Sequence, residues 1–131
     1  KKAHAHGPGA HVIVLSGEGY SLMWPDGEAP RRYDWEIGTL IVPPNGWFHQ
    51  HFNAGASPAR YLAFKHGSQR NAQGVMMCWI SRRLGGDQLD YADQPQFVRD
   101  VFSAELGKRG LAPRMEPVYA KELETLPPKA A

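Results

Sequence analysis

The chain has 131 residues, 42% of them hydrophobic, and a net charge of +2 from 15 basic and 13 acidic residues. This length predicts one domain with a hydrophobic core. The basic residues form no long run, which argues against nucleic-acid binding, and no apolar run approaches the roughly 20 residues of a membrane span. The single cysteine, Cys78, excludes an intrachain disulfide. No signal peptide is visible, so the sequence leaves open whether the chain is cytoplasmic or secreted.

Glycine and proline divide the first two thirds of the chain into short segments. The chain contains 14 Gly and 11 Pro, a density that favours short strands joined by tight turns. The predicted strands cover residues 11–15, 20–24, 32–37, 39–42, 47–53 and 60–65, with a further candidate at 75–81. Short strands at regular spacing predict an all-β sandwich or barrel.

The last third of the chain differs in character. Pro95 near its start and Gly110 at its end predict a helix over residues 93–110. An apolar stripe on this helix is predicted from Phe97, Val101, Phe102 and Leu106. The remainder carries four prolines and is predicted to be an extended tail. The predicted organisation is therefore a barrel over 1–92, a helix over 93–110 packed on it, and a tail over 111–131.

Histidines form two H-x-H units in the first half of the chain. His4 and His6 make one unit, and His49 and His51 make the other. Residues two apart on a strand face the same side, so each unit can present two imidazoles to one interior. Imidazole clusters suit zinc, copper, iron or nickel. A lone H-x-H is more often two unrelated histidines, so the spacing alone leaves a structural role open.

A defined set of residues surrounds the second histidine unit. One turn-and-strand segment over residues 38–53 contains Gly38, Pro44, Gly46, His49 and Asn53. This segment resembles the second motif of the cupin superfamily at every defining position. Pro44 and Gly46 would form the tight turn that aims the next strand inward.

The first histidine unit, followed by the turn at residues 17–19, resembles the first cupin motif. The glutamate of that motif is missing, because its place falls on Ala10 or His11. The closest likeness is to the C-terminal cupin of two-cupin proteins labelled ethanolamine ammonia-lyase-activating. It is carried by residues 1–13, 19–25, 47–53 and 58–63.

The resemblance implies an all-β cupin jelly-roll barrel that holds one transition-metal ion with His4, His6 and His49. Without a carboxylate, the ligand set favours copper first, iron next, with zinc as a third choice. His11 is a candidate fourth ligand. His51 shares the face of His49, and we expect it to take part in catalysis, against the alternative of a packed core histidine.

Aromatic residues on neighbouring strands are candidates for the pocket around the ion. Tyr20 is assigned a catalytic role beside His51, and Trp24, Trp35 and Trp47 are assigned to substrate binding. The alternative is that these aromatic residues belong to the hydrophobic core.

Cupins with three-histidine sites include Fe(II) dioxygenases and small copper cupins that oxidise carbohydrate, including cellulose. The resemblance therefore implies a metal-dependent oxidoreductase of the mono- or dioxygenase type. It would activate O2 or peroxide toward a small organic molecule or a carbohydrate. A non-catalytic ligand-binding or regulatory cupin and a zinc-dependent isomerase or hydrolase are the alternatives.

A homodimer is also expected. Cupin barrels usually have strands before the first motif, whereas His4 lies near the start of this chain. The exposed sheet edge therefore needs a cover. A partner subunit, the C-terminal segment or an upstream stretch would each serve.

Overall fold

The computed structural model describes residues 1–129, and within them the fold is mostly β, with eight strands in two antiparallel sheets. A five-stranded sheet has the order β4-β3-β6-β1-β8, and a three-stranded sheet has the order β5-β2-β7. The strands are β1 (Ala3–His4), β2 (Ala10–Ser16), β3 (Gly19–Trp24), β4 (Arg31–Trp35), β5 (Leu40–Ile41), β6 (Phe48–Asn53), β7 (Arg60–Lys65) and β8 (Gln88–Leu89).

Two helices follow the strands, α1 (Gln96–Gly107) and α2 (Glu116–Thr125). The predicted extended tail is therefore wrong over α2. Pro117 lies in the first turn of α2, where its missing N–H breaks no helical hydrogen bond. The carboxylate of Glu122 also accepts hydrogen bonds from the backbone N–H groups of Tyr91 and Ala92, which ties α2 to the domain.

The predicted strand at 75–81 is also wrong. Residues Met77–Trp79 form a single 3-10 turn around the buried Cys78. The N–H of Ile80 donates to the carbonyl of Met77 at 3.0 Å, so local turns satisfy backbone groups that a strand would pair with a neighbour.

The outer face of the five-stranded sheet packs against α1. β3 and β6 pair so that Tyr20 lies opposite Phe52, and Trp24 lies opposite Phe48. The buried cluster on this face comprises Ala3, Ala5, Tyr20, Leu22, Trp24, Phe48, Phe52, Ala54 and Val98. In α1 the buried stripe runs through Val98, Val101, Phe102 and Leu106, so the predicted stripe is confirmed except at Phe97, which is exposed and gives its place to Val98.

The inner face packs against the three-stranded sheet. A second buried cluster lies between the sheets and contains Ala10, Val12, Val14, Met23, Trp35 and Ile41. Met23 lies directly opposite His49 across the β3–β6 ladder. His49 therefore lies on the inner face, beside the core that joins the two sheets.

The free edge of β1 is covered by β8, through the pairs Ala3–Leu89 and His4–Gln88. A later strand of the same chain therefore covers this edge, and it lies within the predicted barrel of residues 1–92, before the predicted C-terminal segment. In residues 1–129, no helix combines the length and the hydrophobicity that crossing a membrane requires.

Candidate metal centre

His4, His6 and His49 come together at one end of the inter-sheet space. β1 and β6 are antiparallel with His4 directly opposite His49, and His6 follows β1 by two residues. The ring centroids lie 4.5 Å apart for His4 and His49, and 4.8 Å apart for His6 and His49. One ligand nitrogen from each of the three residues lies within 4.8 Å of the others. The three side chains can therefore hold one metal ion.

Hydrogen bonds define which nitrogen of two of the rings is available to a metal ion. Nδ1 of His4 lies 2.9 Å from the carbonyl oxygen of Lys2, and Nδ1 of His49 lies 3.1 Å from that of Trp47. A carbonyl oxygen only accepts, so both Nδ1 atoms carry the proton and donate it. The lone pair is consequently on Nε2 in both rings, as in metal-binding histidines whose second nitrogen is held by a backbone carbonyl.

His6 has an unsatisfied ring nitrogen. Its Nδ1 is shielded from solvent and has no hydrogen-bond partner among residues 1–129. An orphaned buried nitrogen is costly in an apolar interior unless a ligand or ion satisfies it. The donor chemistry at this position therefore fits a metal ion.

Burial keeps the imidazoles neutral. It lowers the pKa of His4 to about 4 and the pKa of His49 to about 3. The pKa of His6 is also lowered, again chiefly by burial. Neutral imidazole is the form that binds a metal, so at neutral pH no proton has to leave before an ion can enter.

His51 lies beside this cluster, with its ring centroid 5.7 Å from that of His49. Its Nδ1 is 2.6 Å from Oγ of the fully buried Ser21. Burial lowers the pKa of His51 to about 4. Ser21 therefore holds a neutral imidazole in one orientation at the edge of the three-histidine cluster.

A cavity of about 300 Å³ opens onto the three histidines. That volume is at the lower end of the range for small-molecule sites. Trp79 lines the cavity with its ring centroid 5.4 Å from that of His4. Further side chains that line the cavity are His51, Trp35, Tyr61, Lys1 and Lys65.

Tyr20 and Trp24 do not reach the cavity, which corrects their assignment to the site. Both lie on the outer face of the five-stranded sheet, where Tyr20 stacks on Phe52 at 4.8 Å and Trp24 stacks on Phe48 at 5.8 Å. The antiparallel register with β6 causes this placement, because the residues opposite phenylalanines share their face and point away from His49.

Of the other residues that the sequence assigned to the site, one lines the cavity and two do not. Trp35 lines the cavity, whereas Trp47 packs against the inter-sheet cluster and does not line it. His11 is exposed on β2, between inward-facing Ala10 and Val12, so it does not reach the three-histidine cluster and is not a fourth ligand candidate.

Sequence reasoning missed three cavity residues, Tyr61, Lys65 and Trp79, and it also missed Ser21, which holds His51 from behind the cavity wall. For Tyr61 and Lys65 a signal existed, because both alternate in phase with Ala63 along β7. Trp79 gave none, since it lies in the 3-10 turn that was predicted as a strand.

No protein-family model matches the sequence, and neither a curated protein nor a solved structure matches it. The chemistry of the site is therefore inferred from its own residues.

Proposed function

We propose that this chain is a metal-dependent oxidoreductase built on a cupin jelly-roll barrel. One transition-metal ion is held by His4, His6 and His49. The observation that carries the proposal is the convergence of three neutral imidazoles on a small-molecule cavity, with an orphaned nitrogen on His6.

The ligand set favours copper or iron. No carboxylate lines the cavity among residues 1–129, and an all-nitrogen site suits copper, iron or zinc better than manganese or magnesium. Copper is our first choice, iron the second and zinc the third. Copper or iron bound there would supply redox chemistry with O2 or peroxide toward an organic substrate.

The protein's contribution is to position groups around that chemistry. Ser21 fixes the ring of His51 through Nδ1, so Nε2 is the only ring nitrogen of His51 that can contact a molecule in the cavity. The rings of Trp35, Tyr61 and Trp79 provide apolar surfaces against which a small organic molecule or a sugar ring can pack. We therefore propose His51 as a catalytic residue and Trp35 as a substrate contact.

The test is oxidation that depends on the metal. Metal-free protein is reconstituted with copper, iron or zinc, and O2 or peroxide consumption is measured with candidate organic substrates, including cellulose. We expect activity with copper or iron, loss of activity in His49→Ala, and wild-type activity in His11→Ala. His11→Ala is the matched control because it removes an exposed imidazole outside the cluster.

Two results would replace the proposal. Turnover of a substrate by the zinc-loaded protein, without consumption of O2 or peroxide, would indicate a zinc-dependent isomerase or hydrolase. Retention of a metal without turnover of any substrate would indicate a ligand-binding or regulatory cupin.

We further propose that two copies associate through the outer face of the three-stranded sheet. Ile13 lies opposite Leu62 on one side and opposite Leu40 on the other. Leu40, Leu62 and Phe64 are exposed in the single chain, at 54%, 48% and 56%. A contiguous apolar sheet face of this kind marks an interaction surface, and pairing it with itself is the commonest symmetric solution.

A further inference from the structure

The charges that line the cavity are all of one sign. Lys1, Lys2 and Lys65 line it, and no aspartate or glutamate of residues 1–129 does. Lys2 is neutralised, since its Nζ lies 2.6 Å from a carboxylate oxygen of Asp90 and 2.7 Å from one of Glu122. The net charge of the cavity lining therefore depends on Lys1 and Lys65.

Lys65 has no carboxylate within 4.0 Å in the described part of the chain. Its Nζ lies 5.9 Å from the centroid of the Trp79 ring and 3.8 Å from Sγ of Cys78. Nζ of Lys1 lies over the same ring at 4.9 Å. Two ammonium groups thus flank Trp79, whose ring packs on His4.

The imidazole of His51 can donate a hydrogen bond into the cavity. The hydroxyl of Ser21 is fully buried, and Nδ1 of His51 is its one side-chain hydrogen-bond partner in residues 1–129. When that hydroxyl donates to Nδ1, the proton of His51 is on Nε2, which becomes a donor toward the cavity.

The amide oxygens that line the cavity each accept a hydrogen bond from within the chain. The side-chain oxygen of Gln50 accepts from Gln94, and that of Asn53 accepts from the backbone N–H of Gly55. An incoming molecule therefore meets ammonium groups and an imidazole N–H, and a ligand that accepts hydrogen bonds with a negative charge fits them best.

We propose that the cavity binds a small organic carboxylate, with the carboxylate on Lys65, Lys1 and Nε2 of His51 and the carbon skeleton against Trp35 and Trp79. A metal ion on three neutral imidazoles adds further positive charge, which a neutral ligand would leave uncompensated. A cleft lined by one sign of charge also raises the local concentration of the opposite ion. The inference rests on the proposed function for the location of the site, but not on its redox chemistry.

The test compares two sugars that differ in one group. D-Glucuronate carries a carboxylate where D-glucose carries a hydroxymethyl group. Binding of each to the intact zinc-loaded chain, which is redox-silent, is measured by isothermal titration calorimetry. We expect glucuronate to bind about tenfold more tightly than glucose, the effect of one charge-assisted hydrogen bond.

Variants locate the effect. Lys65→Met is expected to remove most of the preference, Lys65→Arg to retain it, and Lys121→Met, an exposed lysine on α2, to leave it unchanged. Thermal unfolding of each variant checks that the fold is intact. Equal affinity for glucuronate and glucose, a preference that survives Lys65→Met, or equally tight binding of inorganic phosphate would overturn the inference.

Failure here is separable from failure of the proposed function. Metal-dependent oxidation by the copper-loaded or iron-loaded protein is measured in a different assay, on neutral substrates. Selective binding of glucuronate without any oxidation activity would support the carboxylate site and contradict the proposed oxidoreductase function. Oxidation activity without selective binding of glucuronate would support the oxidoreductase function and contradict the carboxylate site.

Discussion

Acidification is predicted to destabilise the metal-free protein through its buried histidines. His4, His49 and His51 have pKa values of about 4, 3 and 4 in the folded chain, lowered chiefly by burial. In the unfolded chain each returns to about 6.5. Between those values the unfolded state binds protons that the folded state does not bind, so stability falls as pH falls from about 6.5 toward the folded pKa.

The size of the effect follows from the unfolded state. At pH 5.5 all three folded imidazoles are still neutral, so coupling between them does not enter. Protonation of each histidine in the unfolded chain then lowers the free energy of unfolding by about 1.4 kcal/mol relative to pH 7.5. The three histidines together lower it by roughly 4 kcal/mol. Unfolded carboxylates titrate mostly below about pH 5 and contribute little in this window.

The assay is urea unfolding in the presence of a chelator at pH 7.5 and pH 5.5. The change in the free energy of unfolding between the two pH values is compared in wild type and His51→Gln. We expect about 1.4 kcal/mol less loss in His51→Gln. A wild-type loss below about 1 kcal/mol would refute the reasoning, since even one buried neutral histidine exceeds it.

Three further predictions test the placement of side chains. Tyr20→Phe removes a buried hydroxyl without a described partner, so we expect unchanged oxidation activity and unchanged or slightly greater stability in urea unfolding; a large loss of activity would return Tyr20 to the site. Leu22→Ala, at a side chain 2% exposed under α1, should lower the free energy of unfolding by about 2–5 kcal/mol, and a loss under about 1 kcal/mol would contradict this packing. Light scattering should give twice the chain mass of 14.6 kDa, falling to 14.6 kDa when Leu62 and Phe64 are both replaced by lysine; a monomeric wild type would exclude the dimer.

Alternation along β6 explains why His49 and His51, two residues apart, line the same cavity. That His4 and His6 would join His49 was implied by the cupin resemblance, and the three residues do lie together. The side-chain period of a strand is a local property, so it can be read from the sequence.

The wrong assignment of Tyr20 has a different physical origin. Every residue of β3 after Gly19 is buried, because the strand packs on α1 with one face and on the inter-sheet core with the other. A strand that is apolar on both faces shows no alternation from which to choose the inner side. The choice is made by its register with β6, which places Met23 and not Trp24 opposite His49.

The remaining cavity wall depends on long-range contacts. Trp79 reaches His4 only because a 3-10 turn brings it there, and β8 has two residues, too few for a pattern. Lys65 is visible as an inward position of β7, but its lack of an acidic partner is a property of the folded chain. The histidine cluster was therefore predictable, whereas the charge of its cavity was not.

The most direct test of the central claim is the metal content of protein purified without a His-tag and without added metal. Elemental analysis and an electron paramagnetic resonance spectrum are recorded on the same sample, for wild type, His49→Ala and His11→Ala. The account predicts close to one copper or iron ion per chain in wild type and His11→Ala, and its loss in His49→Ala. A metal-free wild-type protein that also fails to take up copper or iron, or equal metal in His49→Ala, would contradict it.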